Sequence, residues 1–467
     1  MARLCPTITT VCLQLIFLHP QCSLAISRTS STNYIPTVSG PLSYQEKWGY
    51  INIRSNAHIF WWLYYTENFR PLNPSRPLIL WLQGGPGASS CGYGNFQELG
   101  PLDGDLQPRN TTWLQKADLL FIDQPVGTGF SYVTSNSAYT KNVNDIASDM
   151  LITLQYWFAT HPEYKRQPFY IMSESYGGKM TAAIANVLYP AMQQGRIKCN
   201  LKGIVMGDSW ISPADFVNAW GPYLYQLSYF SDADLRTYTK VAMKCEQLVA
   251  AKLWWNATDC WDEAETVVGQ LTDDVSWYNV LKRSDSDPWS TLLGSLSGID
   301  DRTTIERLYD RHVGIFYQHM SLSQLMNGPI RRKLGVIPKN VNWGGQSGEV
   351  FSRQGGDFMT PVISTVDKLL STTPLKIVIY EGQLDLICCT TGAEIWMKKL
   401  KWPGMSMYRT QAKVPFHAGM PSKYYQTAGF YKKYRNFYFF WIMRAGHMVP
   451  ADAPYAALKM LDMIFAA

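Results

Sequence analysis

The feature that most constrains the fold is a series of continuous apolar segments that alternate with helical ones. PLILWLQ (77–83), FYIMSES (169–175) and LKIVIYEGQLD (375–385) are such segments, and GKMTAAIANVLYPAMQ follows the second of them as a predicted helix. Strands that are apolar throughout and are joined by helices are typical of a parallel sheet covered on both faces. The sequence therefore predicts an α/β fold with a mostly parallel central sheet.

Composition and charge exclude several other classes of protein. Hydrophobic residues make up 46% of the 467 residues and aromatic residues 14%, which is enough to form a large core and argues against disorder. The formal net charge of +6 is small for this length, and the basic residues are scattered. We expect no nucleic-acid partner.

The first 25 residues are predicted to be a signal peptide. Arg3 precedes the apolar stretch TTVCLQLIFL, and Ser23-Leu24-Ala25 places small residues where a signal peptidase would cut. The stretch is too short to span a bilayer, so we expect no membrane anchor. We expect the mature chain to enter the secretory pathway and to be secreted or lysosomal.

Six cysteines and two glycosylation acceptors in the remaining chain agree with that route. The acceptors are Asn110 and Asn256, each followed by the required threonine two residues later. Six cysteines allow 15 complete pairings, among which sequence cannot choose. We favour a bond between Cys245 and Cys260, which are close in sequence.

The chain is predicted to consist of one core interrupted by a cap. Residues 216–325 are rich in Trp, Tyr, Asp and Leu at helical spacing, which indicates a helical insertion over the carboxyl edge of the sheet. Residues 26–215 and 326–467 would then form the first and second parts of the core.

A candidate nucleophile lies between the predicted strand at 169–175 and its helix. The segment Ser173-Glu174-Ser175-Tyr176-Gly177 has small residues two positions before and after Ser175, as a nucleophile elbow requires for its sharp turn. Ser173 replaces the first glycine of the usual G-x-S-x-G pattern. On this motif alone, a strand-to-helix turn with a capping serine is an equally good interpretation.

A base and an orienting acid complete the candidate set. Asp385 follows the strand predicted at 375–385, and His447 lies in a glycine-bearing loop after the apolar segment FYFFWIM. The order Ser175, Asp385, His447 is that of α/β-hydrolases and differs from the chymotrypsin and subtilisin orders. The 210 residues between Ser175 and Asp385 leave room for the cap.

Five ordered sequence blocks resemble those of the serine carboxypeptidases. They are WLQGGPGASS, FIDQPVGTGFSY, SESYGGK, YEGQLDLIC and AGHMVPADAP. The resemblance covers about residues 40 to 467, and the first and third blocks look most like the retinoid-inducible branch of that family. It implies an α/β-hydrolase fold with an inserted helical domain and removal of C-terminal residues from peptides at acidic pH.

The same resemblance assigns further roles. It implies an oxyanion hole formed by the backbone N–H groups of Gly85 and Tyr176. It also implies a substrate-carboxylate site at Gln83, Glu98 and Glu174, with Gln83 one methylene longer than the family's asparagine. We expect no cofactor and no metal, and the partners would be the C-termini of peptides or proteins.

Two alternatives to peptide hydrolysis and one question of assembly stay open. Relatives in the same superfamily transfer the acyl group to an alcohol, and the Ser–Asp–His set alone does not distinguish transfer from hydrolysis. A weakly active or non-catalytic partner that stabilises other hydrolases is the second alternative. A homodimer is possible, and sequence does not decide it.

Overall fold

A mixed sheet of eleven strands organises the protein. The computed structural model describes residues 44–66, 75–283, 303, 304, 307, 320–344, 347–419 and 426–466. The strands are β1 (Tyr44–Arg54), β2 (Ala57–Thr66), β3 (Leu78–Leu82), β4 (Asp118–Ile122), β5 (Tyr132–Val133), β6 (Pro168–Ser175), β7 (Asn200–Ser209), β8 (Lys376–Gly382), β9 (Val414–His417), β10 (Thr427–Tyr434) and β11 (Phe437–Ile442).

The centre of the sheet is parallel and both of its edges are antiparallel. Along the sheet the order is β1-β2-β4-β3-β6-β7-β8-β11-β10-β9, and β5 pairs with β2. Neighbours from β4 to β11 are parallel, whereas β1, β2, β9 and β10 pair antiparallel. The predicted α/β fold is therefore confirmed, and the antiparallel edges are an addition that the sequence analysis missed.

Alternate residues of the central strands are buried on opposite faces of the sheet. Leu80 of β3 belongs to the same buried cluster as Ile146 and Ile184, which lie on two helices of one face. Trp81 belongs instead to the cluster that contains Leu461 of the C-terminal helix. Because both faces are covered, strands with no polar face are stable here, which explains the continuous apolar segments.

Three helices cover the face of Leu80, and one covers the face of Trp81. The first three are α1 (Val143–Thr160), α2 (Tyr176–Gln193) and α10 (Ile363–Thr372), and the other is α14 (Pro454–Ala466). The others are α3 (Pro213–Gln226), α4 (Asp232–Ala250), α5 (Trp254–Thr272), α6 (Met320–Leu325), α7 (Arg331–Leu334), α8 (Gly348–Arg353), α9 (Gly355–Phe358), α11 (Thr390–Met397), α12 (Met405–Thr410) and α13 (Val449–Asp452). Two π-helices span Ser90–Leu99 and Met326–Ile330, and short 3-10 turns span Trp113–Gln115, Asn136–Ala138 and Pro162–Tyr164.

Helices α3, α4 and α5 lie within or next to the predicted cap. Helix α4 begins with a capping box, in which Ser231 and Asp234 each satisfy the other's backbone N–H. A disulfide joins Cys245 of α4 to Cys260 of α5, as the sequence analysis favoured. Cys91, Cys199, Cys388 and Cys389 are free thiols.

Two of the predicted segments lie partly or wholly outside the described residues. The whole of the predicted signal peptide is outside them, and so is the part of the predicted cap that covers most of 284–319. The division into core and cap therefore stays a prediction. Among the helices of the described ranges, none is long and apolar enough to cross a bilayer.

Candidate active site

Ser175 occupies a strained turn between β6 and α2. Its backbone has φ 61° and ψ −130°, a conformation that non-glycine residues rarely adopt. The strand ends at this residue and the helix begins at the next one, Tyr176. This geometry lifts the Ser175 side chain out of the sheet edge, as a nucleophile elbow requires.

The small residues on either side of Ser175 are required by close backbone contacts. A Cβ added to Gly177 would lie 2.5 Å from the Leu82 carbonyl oxygen and 3.0 Å from the Cβ of Ser173. Ser173 is tolerated in place of the usual glycine because Gly177 leaves this space open. The Ser173 hydroxyl lies 3.4 Å from the Val205 carbonyl oxygen, which accepts its hydrogen bond.

Asp385 and His447 form a buried pair at the same edge of the sheet. Nδ1 of His447 lies 2.7 Å from Oδ2 of Asp385, and the two side chains are 2% and 0% exposed. Asp385 follows β8 and His447 follows β11, and these strands are parallel neighbours. Their carboxyl ends therefore bring together two residues that are 62 positions apart.

A short segment after α5 connects the acid and histidine loops. The Tyr278 carbonyl accepts a hydrogen bond from the His447 N–H at 2.7 Å. The Trp277 carbonyl accepts from the N–H groups of Leu386 and Ile387 at 3.1 and 3.0 Å. Sequence reasoning missed this segment, because it contributes backbone atoms and has no motif.

One cavity contains the candidate nucleophile and base. Ser175 and His447 both line it, together with four residues assigned by resemblance, Gln83, Gly85, Tyr176 and Glu174. The other residues that line the cavity are Gly84, Ala88, Trp210, Trp261, Tyr278, Phe351, Phe358 and Ile387. Asp385 lies behind His447.

The glycine loop after β3 packs directly against the nucleophile. A Cβ added to Gly84 would lie 2.5 Å from the Cβ of Ser175 and 2.9 Å from the backbone nitrogen of Tyr176. Gly85 has φ 103°, in the region that favours glycine. The loop is thus close enough to the Tyr176 N–H for Gly85 and Tyr176 to act on one substrate oxygen, although that role stays a prediction.

Asp123 supports the same loop and was not singled out from sequence. One of its oxygens accepts hydrogen bonds from the Ser89 hydroxyl at 2.7 Å and the Cys91 N–H at 3.0 Å. The other accepts from the Phe130 N–H at 2.9 Å. Burial raises the pKa of Asp123 to about 6. The residue follows β4, as Asp385 follows β8, and this position at a strand end is the signal that could have revealed it.

Gln83, Glu98 and Glu174 form one buried network beside the cavity. Nε2 of Gln83 donates to Oε1 of Glu98 and to Oε1 of Glu174, each at 2.8 Å. Burial raises the pKa of Glu98, and burial together with the charge of Glu98 raises the pKa of Glu174 well above its ordinary value. Oε2 of Glu98 and Oε2 of Glu174 have no hydrogen-bond partner among the described residues.

Two buried groups of residues combine side chains of the metal-ligating types. They are Asp385, Cys388 and His447, and Asp208, Glu381 and Asp385. Both groups share Asp385, whose Oδ2 is already paired with His447. We therefore interpret them as the surroundings of this acid.

The strand order and the residues at the strand ends define an α/β-hydrolase fold. The prohormone-processing carboxypeptidase Kex1 from Saccharomyces cerevisiae has a similar fold, with a TM-score of 0.75, 23% identity and 91% of each chain covered. A sequence model described as serine carboxypeptidase matches residues 36–467. The chain belongs to the serine carboxypeptidase family.

Curated relatives agree with this family. The chain is 49% identical to the retinoid-inducible serine carboxypeptidase of Homo sapiens over 92% of both chains, and 48% identical to that of Mus musculus over 90% of this chain and 91% of the relative. It is 40% identical to serine carboxypeptidase-like 51 of Arabidopsis thaliana over 96% of this chain and 98% of the relative. These findings confirm the family, its retinoid-inducible branch and the serine-type carboxypeptidase class predicted from sequence.

Proposed function

We propose that the protein removes the C-terminal residue of peptides and proteins by serine-type hydrolysis at acidic pH. The observation that supports this best is the arrangement of one cavity. Ser175, His447, Gln83 and Glu174 all line it. A nucleophile beside a site for a free carboxylate is what an exopeptidase requires.

Ser175 forms the acyl-enzyme in the proposed mechanism. Its hydroxyl oxygen attacks the last peptide carbonyl while Nε2 of His447 takes the proton, and Asp385 holds the imidazole by its Nδ1–H. The N–H groups of Gly85 and Tyr176 stabilise the resulting oxyanion. His447 then gives the proton to the leaving amino group, and the terminal amino acid departs. Water repeats the sequence on the ester.

Two glutamates can bind an anionic terminus only when they hold protons. Because the pKa values of Glu98 and Glu174 are raised, both carboxyls retain protons under mildly acidic conditions and can donate hydrogen bonds to the substrate. Above the raised pKa they ionise and repel the substrate carboxylate. The amide of Gln83 donates at any pH, so binding should weaken as pH rises without vanishing.

The walls of the cavity favour apolar residues next to the cleaved bond. Most of its other lining side chains are large and apolar, and burial against such surfaces is favourable for an apolar substrate group. They are Trp210, Trp261, Tyr278, Phe351, Phe358 and Ile387.

Two surface asparagines and one disulfide support a location in the secretory pathway. Asn110 and Asn256 are both exposed, as glycan acceptors must be, and Cys245 and Cys260 are joined. We propose a secreted or lysosomal protein. Glycosidase treatment of the expressed protein should increase its mobility on a gel, and light scattering after size-exclusion chromatography decides whether it is a homodimer.

Incubation with blocked dipeptides tests the proposed activity. The panel should vary the residue on each side of the bond and be assayed from pH 4 to pH 7 beside Ser175→Ala. We expect the wild type alone to release free amino acids, fastest at acidic pH. Ester products from added alcohols would indicate acyl transfer, and no release by either protein would contradict the proposal.

A further inference from the structure

Gly382, the last residue of β8, connects the Asp385 turn to the His447 loop. Its carbonyl accepts a hydrogen bond from the Asp385 N–H at 3.2 Å. A Cβ added to Gly382 would lie 2.0 Å from the carbonyl oxygen of Gly446, the residue before His447. The position of Gly382 therefore fixes the distance between the acid and the imidazole.

Asp208 holds Gly382 from the neighbouring strand β7. Its Oδ1 accepts a hydrogen bond from the Gly382 N–H at 2.6 Å. Asp208 is fully buried and has φ 41°, which a non-glycine residue adopts only where its surroundings require it. This hydrogen bond joins β7 to the last residue of β8, so Asp208 acts on Asp385 through Gly382.

Glu381 completes a cluster of three buried carboxyls with Asp208 and Asp385. One oxygen of each lies within 4.8 Å of one of each other residue. Burial and the charge of Glu381 raise the pKa of Asp208 well above its ordinary value, and burial and Asp385 do the same for Glu381.

The surrounding ionisable groups are mostly acids. Because like charges repel, these acidic neighbours disfavour ionisation of Asp208 and Glu381. Five ionisable groups interact electrostatically with Asp208 or Glu381. They are Glu174 on β6, Tyr380 on β8, and Asp385, Cys388 and Cys389 after β8. His447 contacts Asp385, which lies beside Asp208 and Glu381.

We propose that Asp208 is a positioning residue for the Asp385–His447 pair. Asp208 holds Gly382, which contacts both the Asp385 turn and the His447 loop. The inference rests on the proposed function for its activity assay. It predicts that loss of the Asp208–Gly382 contact misplaces the imidazole and lowers kcat.

Substitutions of Asp208 test the geometric effect. Asp208→Ala removes the acceptor for Gly382, and we expect kcat to fall about a hundredfold with little change in KM, as small misplacements of reacting groups cause. Asp208→Asn keeps an acceptor oxygen and should restore most of that loss. The control Asp149→Asn changes a buried carboxyl of α1 that is paired with Arg54 of β1, and it should leave kcat unchanged. A value for Asp208→Ala within twofold of wild type, or equal losses in both Asp208 variants, would overturn the proposal.

A double variant separates the contact from the charge of the cluster. Asp208→Asn with Glu381→Gln removes two of the three carboxyls and keeps an acceptor oxygen for the Gly382 N–H. We expect its kcat to stay close to that of Asp208→Asn. A loss of about a hundredfold in the double variant would overturn the proposal, and this variant decides the matter if Asp208→Ala does not fold.

Labelling of Ser175 by a fluorophosphonate separates this inference from the proposed function. The reagent reports the reactivity of Ser175 and needs no peptide substrate. If the wild type is labelled but hydrolyses no peptide, the proposed function fails while the Asp208 variants still test positioning. We expect the same rank order in labelling rate. Equal rates for all variants would contradict the inference.

Discussion

Nε1 of Trp81 donates a hydrogen bond to Oε1 of Gln83 at 2.8 Å, and this contact determines which way the Gln83 amide points. With its oxygen facing the indole, the amide nitrogen faces Glu98 and Glu174. A rotated amide would present its oxygen to the glutamates and would lose both hydrogen bonds that its nitrogen donates. The longer side chain at this position is thus held at a defined site.

Trp81→Phe should weaken substrate binding, because the amide of Gln83 loses the donor that orients it. A hydrogen bond contributes about 1 kcal/mol, so we expect KM for peptides to rise about fivefold with kcat little changed. Steady-state kinetics on one blocked dipeptide measures this.

Trp113→Phe is the matched control. Its ring packs against that of Trp81 with centroids 5.4 Å apart, and its Nε1 has no hydrogen-bond partner among the described residues. It loses the same indole nitrogen without losing a contact to Gln83. Equal KM values for the two variants would contradict the role given to Trp81.

Glu174→Gln should flatten the pH dependence of KM. In the wild type the raised pKa of Glu174 keeps it protonated in acid, and ionisation at higher pH repels the substrate carboxylate. We expect KM of the wild type to climb between pH 4 and pH 7 and that of the variant to climb less. Glu263→Gln, which changes an exposed residue paired with Lys244, should match the wild type. Superimposable profiles for wild type and Glu174→Gln would refute the proposed protonation.

Gly177→Ala should destabilise the fold and lower kcat together. The added methyl would meet the Leu82 carbonyl at 2.5 Å, and backbone on both sides leaves little room for adjustment. Overpacking of this kind costs about 1–3 kcal/mol. Thermal unfolding and kcat should both show the loss. Gly344→Ala adds the same methyl where no other atom of the described residues lies within 4 Å, so its unfolding temperature should stay near that of the wild type.

Removal of the disulfide should reduce stability without changing catalysis. Cys245 and Cys260 are 15 residues apart, and closing a loop of that length stabilises a fold by about 3 kcal/mol. We therefore expect the double substitution to alanine to lower the midpoint of denaturant unfolding, with kcat kept within about twofold. An unchanged midpoint would show that the bond is dispensable.

The sequence predicted the centre of the sheet because its strands are buried on both faces. Segments such as the one that includes β3 are apolar throughout, and Asp385 and His447 follow such segments directly. The antiparallel edge strands were missed, since β1 and β10 are only partly buried and lack a continuous apolar run.

The supporting contacts of the site were missed for a different reason. Trp81 resembles any core tryptophan in sequence, and the Tyr278 contact uses only a backbone carbonyl. Asp208 is recognisable only once β7 and β8 are seen side by side. Residue type and spacing therefore revealed the groups proposed to react, whereas pairing in three dimensions was needed to find those that hold them.

The backbone contacts of Trp277 and Tyr278 have a consequence for protein engineering. These residues follow α5 in sequence, yet they are hydrogen-bonded to the loops of Asp385 and His447. A chimaera that exchanges the helices between β7 and β8 for those of a relative should keep residues 276–280 from the recipient. Residues 276–280 lie inside the predicted cap, but those hydrogen bonds connect them to the loops of Asp385 and His447, so we expect them to belong with the core.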